Sequence, residues 1–295
     1  MAVERPRRAA DEAPLILYTW LVPISAGLSA TRCLFAVTGS GPQAGTGSAA
    51  LLDLYGWANP LVLIIAGVVS MAHLNQPLRP WRLVANPRSS WLSREGILFG
   101  VYTALVLLLT PALSLPEVLL PAVSSTASLL GVALLLTVGA LYRSTAIPGW
   151  DTPSTLVVFL FSGISAAILL SGMVQPAGAA EDWRALSVVA AYLCQGISNL
   201  LLRFGGRIRR TSSGHGRTFM PGLNGGRWLS LCFLSVEGAV VVLALLTGSP
   251  GAVVALFVIV AVDQLHGRMV FFGRPFEDPT EMEIERYRAT YRDDL

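Results

Sequence analysis

A histidine and a glutamate flank a polar segment that lies between two long apolar runs. The segment reads HLNQPLRPWRLVANPRSSWLSRE, and His73 closes the first run while Glu95 opens the second. An imidazole titrates near neutral pH, and a nearby carboxylate can accept or relay a proton as a general base. Such a pair at one membrane face suits chemistry that removes protons from an apolar molecule. His73 and Glu95 are therefore the candidate catalytic residues.

Both residues also have structural explanations, and these stay open at this point. His73 could cap a helix or donate to a backbone carbonyl. Glu95 could stabilise the positive end of the helix that it begins. Trp81 and Trp91 lie in the same segment, where a tryptophan ring could stack on a flat ligand. Tryptophan is ordinarily enriched at the headgroup level of a membrane, and we favour that role for both.

Ionisable residues inside the apolar runs are the other candidates for chemistry. Glu237 lies well inside the seventh run and is expected to be a protonated, hydrogen-bonded core acid or a member of a proton path. Asp263 and His266 are close enough along one helix to interact directly, and Arg268 follows them. This last group could anchor and pack the final span or contact a substrate.

The cysteines do not predict a metal centre in this chain. Cys33, Cys194 and Cys232 lie far apart, each inside an apolar run, and no CxxC spacing occurs. An iron–sulfur cluster or a structural zinc ion needs several closely spaced ligands, so no metal site is predicted.

The elements that must position these residues are membrane helices. The 295-residue chain is 53% hydrophobic and 13% charged, whereas soluble domains carry about 25% charged residues. A membrane helix needs about 20 apolar residues. Eight runs reach that length, and they predict an all-α polytopic membrane protein, a bundle of eight transmembrane helices. The runs are 15–38, 51–73, 95–114, 118–142, 153–174, 184–203, 227–247 and 251–272.

One membrane domain over residues 15–273 is the simplest division of the chain. Residues 1–14 are expected to be an N-terminal tail, and residues 274–295 a polar C-terminal tail. Arginine alternates between the connections, and it is concentrated around residues 73–95, at Arg143 and in 203–227. The positive-inside rule places these connections and both termini in the cytoplasm.

The segment around His73 resembles the core signature of the DmsC family, the membrane anchor subunits of dimethyl sulfoxide reductases. The similarity lies in the His-Leu-x-x-Pro-x-Arg pattern from His73 to Arg79 and the Ser-x-Leu-Ser-x-Glu pattern from Ser90 to Glu95. LYRSTAIPGWDTP and LHGRMVFFG also resemble family segments in the right order. One departure is Gln264, which stands where family members can carry glutamate.

The resemblance implies a subunit that binds and oxidises menaquinol and takes part in anaerobic respiration. It implies that His73 and Glu95 serve that oxidation and that the chain itself carries no haem. Electrons would pass to an iron–sulfur subunit and then to a molybdopterin catalytic subunit. These partners, membrane lipid and quinone are expected, and nucleic acid is not. The expected location is the cytoplasmic (inner) membrane of a bacterium or archaeon. The candidate quinol-binding residues are His73, Arg79, Trp81, Trp91, Glu95 and Arg268.

Two other functions are weighed against this one. In a haem-b anchor, His73 and His266 would be axial ligands, because both lie at the ends of even-numbered spans. In a small-solute transporter, Asp53, Glu237 and Asp263 would line the path. The resemblance also implies termini outside the cytoplasm, which is opposite to the charge bias.

Overall fold

The structure, a computed structural model, describes residues 12–38, 47–72, 86–144, 153–174, 181–212 and 224–272. Within these ranges the chain forms eight α-helices and no strand, which confirms the predicted all-α fold. A short 3-10 turn, Pro111–Leu113, lies between the third and fourth helices. The helices are α1 (Ala13–Thr38), α2 (Gly47–Ala72), α3 (Trp91–Leu108), α4 (Leu120–Arg143), α5 (Pro153–Val174), α6 (Glu181–Ser212), α7 (Asn224–Thr247) and α8 (Pro250–Phe272).

Six of the helices in the described ranges are long and apolar enough to cross a bilayer, namely α1 to α5 and α8. The other two contain shorter apolar stretches, Ala185–Leu201 in α6 and Leu231–Thr247 in α7. The chain is thus a multi-pass membrane protein, as predicted. The count of eight spans stays a prediction, and so does the division of the chain into one domain and two tails.

The boundaries of α3 differ from the apolar run that predicts it. The helix begins at Trp91, one turn before Glu95, because Ser90 caps it: the Ser90 hydroxyl oxygen accepts a hydrogen bond from the Ser93 amide at 3.3 Å. It ends at Leu108, before the end of the run, and Pro111 follows. Proline has no amide hydrogen to continue a helix. Glu95 is therefore inside the helix rather than at its start.

The boundary of α6 differs more. The run predicts an end near Arg203, but the helix continues to Ser212 through RFGGRIRR. The predicted arginine-rich connection is thus helical over its first part. Arginine is a good helix former, and the first proline comes only at Pro221, which explains how the helix can outlast its apolar run.

The helices pack around α1 and α5. Helix α5 contacts α1, α4, α6 and α8, whereas α1 also contacts α2 and α4. Gly27 allows the close approach of the two central helices, because a Cβ atom there would lie 2.9 Å from the Cβ of Ala166. Small residues at helix crossings are the usual solution in membranes, where apolar lipid gives no hydrophobic drive for association.

A ring of hydrogen bonds connects α1, α2 and α3 in the interior. The Ser25 hydroxyl donates to the Asn59 side-chain oxygen at 2.6 Å, and the Asn59 amide donates to the Ser29 hydroxyl at 2.9 Å. The Tyr102 hydroxyl closes the ring, 2.9 Å from Ser25 Oγ and 2.8 Å from Ser29 Oγ. These polar groups are satisfied by one another, so they explain stability rather than function.

Successive helices run in opposite directions, and this places one set of helix ends together. We call the end of the bundle where α1, α3, α5 and α7 begin, and where α2, α4, α6 and α8 end, the arginine-rich face. It carries Arg88, Arg94 and Arg143, and the arginines at the end of α6 belong to it as well. Glu95 and Arg268 belong to the same end, and the candidate site is therefore built there.

Candidate functional site

Glu95 is buried one turn inside α3, with 7% of its surface exposed. Its side chain is hydrogen-bonded to that of Tyr18 in α1. Within the described ranges, its second carboxylate oxygen, Oε2, has no hydrogen-bond partner. Buried polar groups are nearly always paired, so a carboxyl with one free oxygen is a candidate for contact with another molecule.

Tyr18 connects Glu95 to the core. Its ring lies 5.9 Å from the ring of Phe99, one turn beyond Glu95 on α3. Both contacts come from the same side of α3, because positions four apart share a helix face. The phenol is consequently held against the carboxyl by packing as well as by the hydrogen bond.

Arg268, near the end of α8, is also buried, with 2% exposed. Its guanidinium carbon lies 3.9 Å from the centre of the Phe159 ring in α5, a cation–π geometry. The Nη2 group donates to the Ser162 hydroxyl at 3.1 Å. Among the described residues, Nη1 has no hydrogen-bond partner. A buried guanidinium nitrogen of this kind can donate to a ligand oxygen.

Tyr142, at the end of α4, neighbours both Glu95 and Arg268. Its ring stacks on Phe159 at 5.8 Å and meets Phe272 edge-on at 5.3 Å. It is close enough to both Glu95 and Arg268 for electrostatic interaction. Five helices thus bring together one group, which we call the Glu95–Arg268 cluster: Tyr18, Glu95, Tyr142, Phe159, Ser162 and Arg268.

The cluster brings together two of the six predicted quinol-binding residues. Trp91 lies nearby on the outside of the bundle, 38% exposed, with the Arg94 guanidinium 4.4 Å from its ring. An exposed tryptophan ring beside an arginine is expected of a residue that anchors a helix at the membrane interface. His73, Arg79 and Trp81 lie outside the described residues. The role of all six in quinol binding stays a prediction.

Arg94 holds the end of the polar segment against α3. Its Nε donates to the carbonyl of Pro87, and its Nη2 donates to the carbonyl of Arg88, each at 2.8 Å. Arg94 therefore ties the segment to α3 through two backbone contacts, which is a structural role.

A second buried network starts at Ser162 and runs deeper into the bundle. The side-chain amide of Gln264 donates to the Ser165 hydroxyl at 2.9 Å, to the Ser162 carbonyl at 3.3 Å and to the Gln195 side-chain oxygen at 3.2 Å. Gln195 and Asn199 in turn donate to the same carboxylate oxygen, Oδ2 of Asp263, each at 2.6 Å. We call this the amide network.

Glu237 in α7 is fully buried next to the amide network. It is close enough to Asp263 for their carboxyl groups to interact electrostatically. The sequence predicts either a hydrogen-bonded core acid or a member of a proton path. The first of these is wrong for the described residues, in which neither carboxylate oxygen of Glu237 has a hydrogen-bond partner. The second stays a prediction.

The residues of the two alternative functions are only partly brought together. Glu237 and Asp263 are neighbours, but Asp53 is exposed near the opposite end of the bundle. His266 packs beside Phe233, with ring centres 5.7 Å apart, and its predicted haem partner His73 is outside the described ranges. In those ranges no group of three or more His, Cys, Asp or Glu side chains could hold a metal ion.

Several residues of the site are absent from the sequence-based prediction. Tyr18, Tyr142, Phe159 and Ser162 give no signal, because aromatic and hydroxyl residues are common in membrane helices. Gln195 and Asn199 do give one: two amides four residues apart in an apolar run must share a helix face. Gln264 enters the prediction only as a departure from a family pattern.

Comparison with known proteins adds the family. Residues 10–274 match the family described as the DMSO reductase anchor subunit (DmsC). The chain belongs to the DmsC family. As a DmsC-family chain it is also similar to a subunit of the sulfite dehydrogenase of Allochromatium vinosum, with 34% identity over 128 residues. That match covers 38% of this chain and 39% of the relative's length.

Proposed function

We propose that this DmsC-family chain binds menaquinol at the arginine-rich face, oxidises it, and anchors the partner subunits of a molybdopterin-dependent reductase. The family supports the anchor role. The observation that carries the site is the buried Glu95 carboxyl, which is fastened to Tyr18 by one hydrogen bond and has a second oxygen free of partners within the described residues.

The chemistry assigned to the Glu95–Arg268 cluster is proton removal. Menaquinol gives up two protons and two electrons when it becomes menaquinone. Glu95 accepts a proton from one quinol hydroxyl through its free oxygen, while Tyr18 holds the carboxyl in place. Arg268 donates a hydrogen bond from Nη1 to a hydroxyl oxygen of the quinol, which orients the quinol ring in the site. His73 is the second proton acceptor.

The electrons leave through partner subunits. We assign the iron–sulfur clusters and the molybdopterin to those partners and no metal or haem to this chain. The partner docks on the arginine-rich face, where Arg88, Arg94 and Arg143 add to the arginines at the end of α6. Protons and electrons from the quinol would thus depart at the same face. This chain alone would have no oxidoreductase activity.

The membrane arrangement proposed with this function has eight spans in the inner membrane of a bacterium or archaeon. Helices α6 and α7 would add two spans to the six long ones, although their apolar stretches are shorter. The buried side chains of Gln195 and Asn199 support this, because they face other helices and leave the outer side of α6 to Leu186, Leu193 and Leu200, which are exposed.

A second candidate runs the same chemistry in reverse. The Allochromatium vinosum relative is a subunit of a dehydrogenase. In a complex that oxidises its substrate, this chain would pass electrons to quinone, and Glu95 would deliver the proton. Catalytic groups serve both directions of one reaction, so the site is the same. Whether substrate added to the complex reduces quinone, or quinol reduces the complex, distinguishes the two.

The experiment that tests the site is Glu95→Gln in the intact complex. Glutamine keeps the shape and the bond to Tyr18 but cannot accept a proton. Removal of a general base typically costs about 10²–10⁴-fold in rate. We therefore expect a loss of quinol-dependent turnover of that size, measured with a water-soluble menaquinol analogue. Electron transfer with a soluble dye that bypasses the membrane subunit should be unchanged.

Glu117→Gln is the matched control, because Glu117 is an exposed acid in the connection between α3 and α4, at the opposite face. It should leave both activities unchanged. A Glu95→Gln complex with normal quinol turnover would refute the assignment of Glu95. Loss of the dye-linked activity from the membrane fraction would mean that the variant no longer holds its partner subunits. In that case Glu95→Asp, which draws the carboxyl back from the quinol, replaces it and should lower quinol turnover while the membrane keeps its dye-linked activity.

A further inference from the structure

Glu237 is a buried acid that the proposed quinol chemistry does not use. It lies in α7 with no measurable surface exposure, and neither of its oxygens has a hydrogen-bond partner among the described residues. A carboxylate without partners is very costly in a membrane interior, whereas the protonated acid is far less costly. The environment therefore favours a proton on Glu237.

The groups that face Glu237 come from the two helices packed against α7, which are α6 and α8. From α8 they are Asp263, which interacts with Glu237, and His266, which packs beside Phe233 one turn earlier on α7. From α6 the near titratable group is Tyr192, whose hydroxyl donates to the Leu234 carbonyl at 3.3 Å. No arginine is among these described neighbours.

Asp263 differs from Glu237 in having strong donors. Two amide groups, from Gln195 and Asn199, donate to one of its oxygens at 2.6 Å. Hydrogen bonds to a charged acceptor are about twice as strong as neutral ones, so they favour the ionised form of Asp263. Two neighbouring acids with such different surroundings divide their protons unequally, with the proton on Glu237 and the charge on Asp263.

The amide network leads from this pair to the quinol site. Gln264 connects Gln195 to Ser162, and the Ser162 hydroxyl accepts from Arg268. From this geometry we propose that Glu237 is a second, membrane-embedded proton-binding site, and that its proton passes to the Asp263 carboxylate, and back, as the redox state at the Glu95–Arg268 cluster changes. The coupling to redox state rests on the proposed quinol site, whereas the proton site stands without it.

A sodium ion is the competing occupant of two adjacent carboxyl groups. Hard cations bind oxygen ligands. Here the amide nitrogens of Gln195 and Asn199 point to Asp263, and the Gln195 side-chain oxygen accepts from Gln264. The arrangement consequently suits a proton, which needs only one acceptor, better than a metal ion.

Infrared spectroscopy of the intact complex in lipid tests the proposal. The wild type should show a carbonyl band of a protonated carboxylic acid that Glu237→Gln removes. In the reduced-minus-oxidised difference spectrum with a menaquinol analogue, this Glu237 band should shift or disappear. Gln264→Leu, which breaks the network halfway, should keep the band in the static spectrum and abolish its redox response. Glu117→Gln should change neither spectrum.

Three results would overturn the proposal. One is a static spectrum in which Glu237→Gln removes no band. Another is a Glu237 band that ignores the redox state while quinol turnover is normal. The third is a band that vanishes on addition of sodium ions at constant pH, which would identify a cation site. Failure of the proposed quinol site appears separately, as normal turnover of Glu95→Gln, and leaves the static Glu237 band in place.

Discussion

At the scale of single residues, the site depends on two buried charged groups that each keep one unused polar atom. Glu95 has a free oxygen and Arg268 a free nitrogen within the described part of the chain. Buried ions are costly, and a protein without a use for them gains by replacing them with apolar residues. Their presence at one face, each close enough to Tyr142 to interact with it, is the reason to expect a polar ligand there.

Arg268→Met should weaken quinol binding without preventing assembly. Methionine fills much of the space beside Phe159 but cannot donate to a ligand oxygen. A hydrogen bond to a charged group contributes about 1.5–3 kcal/mol, which corresponds to roughly a 10- to 100-fold rise in KM for quinol. Steady-state kinetics of the complex measure this.

Arg88→Met is the control for that prediction. Arg88 lies at the same face, is exposed, and makes none of the contacts of Arg268. Its variant should keep the wild-type KM. An Arg268→Met complex with the wild-type KM would remove Arg268 from the binding site.

Sequence analysis at this scale selects Glu95 and Arg268 as candidates, because one opens an apolar run beside the polar segment, the other lies inside a run, and both match a family pattern. It does not identify Tyr18 or Tyr142. Their importance comes from contacts between helices that are distant in sequence, and a tyrosine in a membrane span has many ordinary roles. The unpaired state of Glu237 also could not be predicted, since it depends on which side chains α6 and α8 turn toward α7.

At the scale of helices, the site is held in place by the contact between α1 and α5. Helix α1 carries Tyr18, and α5 carries Phe159 and Ser162. Gly27 lets these helices meet, since a Cβ at that position would be 2.9 Å from both Ala166 Cβ and the Ala167 backbone nitrogen. Close packing of this kind cannot be predicted from hydropathy, because helices that cross closely and helices that cross loosely have equally apolar sequences.

Gly27→Ala should therefore lower the thermal stability of the purified protein. Gly100→Ala is a matched control, since no heavy atom lies within 4 Å of a Cβ at Gly100 and the residue is exposed on α3. In a helix interior alanine is more favourable than glycine by about 0.5–1 kcal/mol, so Gly100→Ala should not destabilise the protein. Equal melting temperatures for the two variants would contradict the proposed close crossing.

At the scale of the whole molecule, the all-α membrane bundle follows directly from composition and run length. The helix ends do not, because capping by Ser90 and the extension of α6 depend on local chemistry rather than hydropathy. The prediction that the quinol site, the arginines and the partner subunits share one face depends on the number of spans. Six helices, α3 to α8, separate Glu95 from Arg268, and an even number of membrane crossings returns the chain to the same side. If α6 or α7 alone failed to cross, the number of crossings would be odd.

Single cysteines introduced in the connections should report the number of spans. With Cys33, Cys194 and Cys232 replaced, Ser114→Cys and Ser249→Cys should react with a membrane-impermeant maleimide from one side of the membrane. Ser144→Cys and Ser213→Cys, which lies in the connection between α6 and α7, should react only from the other side. Reaction of Ser144→Cys or Ser213→Cys from the same side as Ser249→Cys would contradict eight spans.

The central claim is that quinol binds at the Glu95–Arg268 cluster, and photo-crosslinking tests it most directly. A menaquinone analogue with a photoreactive group on its ring is added to the intact complex, and the labelled peptides are identified by mass spectrometry. We predict label in the first turns of α3, at the end of α4 and in the last turns of α8, with competition by unmodified menaquinone. Competed label confined to α6, α7 or the opposite face of the bundle would contradict the account.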